Sequence, residues 1–167
     1  MRGLQEEVLS LLRARPGGGS AGAPPDVVDD AMPAPRPVLR ARRQKTVLLI
    51  DDQDESRKTA AATLEQARVP CRAFPDGPRG LEGLAAERPD VIVLELAIGG
   101  AMAGKDVINM IRATMEWVDI PVLLYTRLPV ESQKEARTVH GADDVVLKGP
   151  GSADALVAHV IQLFRRG

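Results

Sequence analysis

Four things are scarce in this chain, and each scarcity removes a class of function. There is one cysteine, Cys71, in 167 residues, so an internal disulfide framework is excluded and a reducing compartment is expected. Cys71 falls in a short apolar segment and reads as a small buried hydrophobe rather than a reactive thiol. Excess charge is also missing: 22 Lys and Arg stand against 23 Asp and Glu, a formal net charge of −1. Nothing in that balance draws the protein to nucleic acid or to an anionic membrane. No apolar run approaches the length of a membrane span, and the N-terminus lacks the apolar core of a signal peptide, so a soluble cytoplasmic protein is expected. Finally, no glycine-rich dinucleotide fingerprint follows the first strand-like run. What is present, 44% hydrophobic residues, suits one domain with a full core plus an extension.

The extension comes first. Leu4, Val8, Leu11 and Leu12 share one face of a helix over residues 1–15. Arg13 and Arg15 sit in its last turn, and Pro16-Gly17-Gly18-Gly19 stops it. A helix this short is marginal alone in water and needs a surface for its apolar stripe. Its own domain, a second copy (a homodimer) and another protein all remain open. Residues 16–45 are rich in Pro, Gly and Ala and read as a linker. That linker closes on a basic cluster, Arg36, Arg40, Arg42, Arg43 and Lys45, read as its solvated end.

Over residues 46–167 strand and helix patterns alternate five times. Strands are predicted at Val47–Ile50, Cys71–Phe74, Val91–Leu94, Ile120–Tyr125 and Asp144–Leu147. Helices are predicted at Glu55–Ala67, Pro78–Glu87, Lys105–Met115, Val130–His140 and Ala153–Phe164, the last with Ser152 as its N-cap. Strict alternation implies an α/β fold, a doubly wound parallel sheet covered by helices on both faces.

Ligands of open α/β sheets bind outside the carboxyl ends of the strands. Asp51 and Asp52 follow the first strand there, Glu95 the third, Thr126 the fourth and Lys148 the fifth. Three carboxylates at one edge repel one another unless a cation intervenes, which makes Mg²⁺ on Asp51, Asp52 and Glu95 the natural expectation. The same acidic run argues against a nucleotide or flavin fold, whose phosphates need small residues after the first strand. Lys148 facing the acidic cluster is expected to partner Glu95. His140, His159 and Trp117 read as bystanders or local packing.

With those residues in place, residues 46–164 resemble the receiver domain of bacterial response regulators. VLLI-Asp51-Asp52 resembles the family's acidic pair, and Asp76-Gly77 the turn before its second helix. Thr126 in PVLLYT matches its hydroxyl position and Lys148 in GADDVVLK its lysine. The resemblance implies a five-stranded, flavodoxin-like sheet in the order 2-1-3-4-5. It also implies Mg²⁺ at the acidic pair, a lysine that neutralises a phosphoryl group and a hydroxyl that senses it.

The departures carry as much information. Glu95 stands where the family has its phosphoaccepting aspartate, and the extra methylene moves the carboxylate out by roughly 1.5 Å. Misplacement near 1 Å costs an in-line reaction about a hundredfold. Val145 takes the place of the aromatic that rotates in the switch. Gly149 intervenes before Pro150, Gly99 replaces a usual proline, and the loop to Gly104 is one residue longer. The reading is an atypical, phosphorylation-independent single-domain receiver, not an enzyme, that acts as a protein-interaction module. Its partners would be signalling proteins, a histidine kinase or an effector, met through the fourth helix, fifth strand and last helix. The N-terminal helix would be a second docking site, and no DNA-binding output is expected. The alternatives are a Mg²⁺-dependent phosphoaccepting receiver and, from a different class, a small Mg²⁺-dependent phosphohydrolase.

Overall fold

A computed structural model describes residues 42–166. The predicted helix over 1–15 and most of the linker lie outside them. The chain runs β1 (Val47–Ile50), α1 (Asp54–Gln66), β2 (Cys71–Phe74), α2 (Gly77–Ala86), β3 (Val91–Leu94), α3 (Gly104–Ala113), β4 (Val122–Thr126), α4 (Gln133–Thr138), β5 (Asp144–Leu147) and α5 (Ser152–Arg166). The strands form one five-stranded sheet in the order β2-β1-β3-β4-β5, parallel throughout. This is the flavodoxin-like receiver fold.

Successive strand residues point to opposite faces, so the sheet feeds two cores. Leu48, Ile50, Ile92, Leu94, Val122 and Leu124 face α2, α3 and α4, where Leu84, Val107, Ile108, Ile111 and Ala136 meet them. Val47, Leu49, Val91, Val93, Leu123 and Tyr125 face α1 and α5 through Ala60, Leu64, Leu156, Val160 and Leu163. Each fully buried Val, Leu or Ile contributes about 1.5–3 kcal/mol of transfer free energy, and that sum holds the strand ends rigid beneath the site. Two glycines set how closely α2 settles on the sheet. A Cβ on Gly80 would lie 2.3 Å from Ile50 Cδ1, and one on Gly83 2.2 Å from Phe74 Cζ.

Several boundaries differ from the sequence pattern, each for a local reason. β4 begins after Pro121, which has no N–H for a ladder. It runs through Thr126, whose carbonyl accepts from Lys148 N at 2.9 Å, so Thr126 is its last residue rather than the residue after it. α3 ends at Ala113, where Thr114 N turns back to Ile111 O at 3.3 Å, and Met115 lies exposed beyond it. α4 is far shorter than Val130–His140. Ser132 caps it by accepting from Glu135 N at 3.0 Å, while Val130 is buried outside the helix. Ser152 is the first residue of α5, and its hydroxyl pairs with that of Tyr125 at 2.8 Å instead of capping. Asp76 does cap α2, accepting from Arg79 N at 2.8 Å.

The basic linker end is tied to the domain. Arg43 pairs with Asp90 at 2.7 Å, Gln44 Nε2 donates to Arg68 O at 2.9 Å, and Lys45 Nζ donates to the Phe164 carbonyl. Among the described residues, contacts with the domain therefore reach three residues upstream of Thr46. Among the described residues no helix is long and apolar enough to cross a membrane.

Candidate functional site: a closed carboxylate–lysine crest

Backbone bonds tie the carboxyl end of β1 to β2, of β3 to β1 and of β5 to β4, and the β3–β4 ladder joins the two sets. Asp51 N donates to Phe74 O at 3.1 Å, Glu95 N to Ile50 O at 2.9 Å and Lys148 N to Thr126 O at 2.9 Å. These bonds bring Asp51, Glu95, Thr126 and Lys148 to one point. The first three side chains are completely buried.

Lys148 Nζ lies between the two carboxylates, 2.6 Å from Asp51 Oδ2 and 2.8 Å from Glu95 Oε2. The Thr126 hydroxyl donates to Glu95 Oε1 at 2.5 Å and accepts from Leu128 N at 3.0 Å. Glu95 also receives Ala97 N on Oε1 at 2.9 Å and Arg127 N on Oε2 at 3.3 Å. Asp51 receives Gln53 N on Oδ1 at 2.9 Å and Ser56 Oγ on Oδ2 at 2.8 Å. Arg57 closes the back of the crest, donating to the Asp51 carbonyl at 2.9 Å. Burial works against the charged ammonium of Lys148, but hydrogen bonds and charge from Asp51 and Glu95 outweigh it and hold its pKa above the ordinary lysine value.

Asp52 does not join this cluster. It is exposed, and its Oδ2 accepts from Gly99 N at 3.2 Å. The predicted metal triad thus separates into two buried carboxylates clasped by lysine and one rim carboxylate. Among the described residues no three Asp, Glu, His or Cys side chains are grouped to hold a metal ion. A Mg²⁺ site needs near-octahedral oxygens at about 2.0–2.1 Å, and the oxygens of Asp51 and Glu95 already face donors. The crest in this form does not fit the metal.

Sequence reasoning missed Ser56, Arg57 and Tyr125. The Tyr125 ring lies beneath Lys148, with Nζ 5.3 Å from its centroid, in a geometry that supports the ammonium by cation–π attraction. The spacing of Ser56, five residues after Asp51 in the first turn of the next helix, is the one signal available in advance. His159 is no bystander either, since its Nδ1 lies 2.6 Å from the buried Asp144 carboxylate, pinning α5 to β5. Val145 is half-buried against the α3 side of the core. Trp117 packs on the same core as expected. Burial, with Glu65 adding to it, pushes the Cys71 thiol up to about 12, which suits a packing role.

A five-stranded parallel sheet crowned by buried acid and lysine at its carboxyl edge defines a signal-receiver module. The response regulator receiver domain family matches residues 47–161, and this chain belongs to it, as a receiver domain of two-component signalling. It is 30% identical over 123 residues to the transcriptional regulatory protein CseB of Streptomyces coelicolor, covering 74% of this chain and 50% of CseB. It is 30% identical over 122 residues to the phosphate regulon transcriptional regulatory protein PhoB of Pseudomonas aeruginosa, covering 73% and 52%. The chain spans about half the length of these curated relatives. Among solved structures, a putative response regulator from Chloroflexus aurantiacus matches with a TM-score of 0.66 at 24% identity, over 74% of this chain and 99% of that one. The chemotaxis response regulator CheY4 of Vibrio cholerae matches with a TM-score of 0.64 at 22% identity, over 72% and 98%. These two likenesses establish the fold.

Proposed function

We propose that this chain is an atypical receiver that signals by protein contact without being phosphorylated. The observation that carries the reading is the saturation of Glu95. Its two oxygens receive Thr126 Oγ1, Ala97 N, Lys148 Nζ and Arg127 N. A carboxylate so enclosed has no free oxygen with which to attack phosphorus, and it already draws in the hydroxyl and the lysine that a phosphoryl group would engage. One planar negative charge is a weak substitute for a tetrahedral group carrying nearly two, so the pair acts as a structural clasp.

The output is binding. Leu147 on the edge strand β5 is 50% exposed and Val139 after α4 is 56% exposed, which supports a partner surface built from α4, β5 and α5. Its partners in this reading are a histidine kinase or a downstream effector, and residues 1–15 supply a second contact tethered by the linker. Deleting residues 1–15 is expected to weaken partner binding while leaving the melting of the domain nearly unchanged.

The second reading, a Mg²⁺-dependent phosphoacceptor in a cytoplasmic phosphorelay, draws on the family match and on Lys148 and Thr126 standing at their family positions. Incubation with acetyl phosphate and MgCl₂ followed by intact-mass measurement separates the two. The clasp predicts an unmodified protein, and an adduct mapped to Glu95 establishes the second reading.

A further inference from the structure

We infer that Lys148 is the resident cation of the acidic crest, so that this chain holds its buried carboxylates without a divalent metal. The inference deepens the clasp reading above and rests on it. Two buried carboxylates need positive charge at close range. Lys148 supplies it by bridging Asp51 Oδ2 and Glu95 Oε2, and Arg57 brings a second cation to the Asp51 carbonyl. Two features keep the ammonium in place. The Tyr125 ring lies against it, and the Tyr125–Ser152 hydroxyl pair anchors the start of α5, just beyond the Lys148–Gly151 loop.

A metal entering the crest would have to displace Nζ from both carboxylates. It would also have to draw Asp51 Oδ2 away from Ser56 and turn Asp52 inward from its bond with Gly99 N. The Lys148 ammonium and the Ser56 hydroxyl are half-buried donors that would be left unpaired, which is expensive. Lysine therefore competes with the metal rather than cooperating with it, and removing Lys148 should open the vacancy.

The test titrates the full chain and a Lys148→Met variant with MgCl₂ against NaCl of equal ionic strength, reading the melting temperature. In parallel, MnCl₂ is added and broadening of the Asp52, Glu95 and Ala97 amide signals is read by NMR. Expected for wild type are superimposable melting curves in the two salts and no selective broadening. Expected for Lys148→Met are a lower melting temperature without metal, a saturable rise with Mg²⁺ and selective broadening with Mn²⁺. Saturable stabilisation or selective broadening of wild type overturns the inference, as does a folded Lys148→Met protein indifferent to both metals. The wild-type arm decides the question even where the variant does not fold. A wild type that binds Mg²⁺ yet gains no phosphoryl group defeats this inference alone, whereas phosphorylation of Glu95 defeats the proposed function.

Discussion

The two ends of the sheet handle charge in opposite ways. At the carboxyl ends of the strands, Asp51 and Glu95 are completely buried and share one lysine whose side chain is 13% exposed. At the amino ends, Arg88 and Asp119 form a pair that stands largely in water, and an exposed Arg43 reaches down to Asp90. There Arg112 also straps the Gly141, Val118 and Ile120 carbonyls to Asp143. Exposed pairs are screened and contribute about 0–1 kcal/mol, so the amino end serves packing and solubility. The same chemical bond inside the crest is all-or-none, because removing one partner strands a buried charge. The sheet thus has a permissive end and an intolerant end, and the intolerant one carries Asp51, Glu95, Thr126 and Lys148.

The contrast is broken most sharply at Lys148. Lys148→Met is expected to destabilise the domain by about 3–5 kcal/mol, the cost of an uncompensated buried pair, read as a lower midpoint in urea with an unchanged slope. Overpacking the loop that follows Glu95 comes next. A Cβ at Gly104 would lie 2.5 Å from Leu96 O and 2.8 Å from Leu96 Cα. Because both atoms are backbone, Gly104→Ala should cost about 1–3 kcal/mol, visible in the same denaturation experiment. At the other end Arg43→Ala should cost no more than about 1 kcal/mol. A loss as large as that of Lys148→Met would erase the distinction between the two ends.

Alkaline pH sharpens the comparison without mutation. Lys148 and Cys71 both have folded-state pKa values raised above their ordinary values of 10.5 and 9.0. The folded protein therefore holds protons that the unfolded chain releases. Their contribution is complete below the unfolded values and is lost as pH rises, from about 9.0 upward for Cys71, whose folded value is about 12, and from 10.5 upward for Lys148. Stability measured from pH 8 upward should fall more steeply in wild type than in Lys148→Met, which lacks the second of these groups.

Much of this was legible in the sequence because hydrophobic periodicity and strand ends are local. β1, β2, β3 and β5 begin and end at the residues the sequence pattern predicts, and the strand ends place Asp51, Glu95, Thr126 and Lys148 together. The parting of Asp51 from Asp52 was not legible. Asp51 and Asp52 are neighbours in sequence, but adjacent residues at a strand end face opposite ways, so one is buried and the other is at the rim. Nor does a strand pattern show that a lysine reaches two carboxylates at once. The Asp144–His159 pair was hidden for the same reason, since it joins a strand start to the middle of a helix. The short α4 was legible in principle: Ser132 and Glu135 have capping-box spacing, and that signal outranks the longer polar helical stretch around it.

The most direct test is intact-mass spectrometry after acetyl phosphate and MgCl₂, with wild type and Glu95→Asp side by side. Shortening the side chain withdraws the carboxylate from Thr126 and Lys148 and frees an oxygen. The clasp predicts an unmodified wild type and a Glu95→Asp protein that gains one phosphoryl group. A wild-type protein phosphorylated on Glu95 would contradict it.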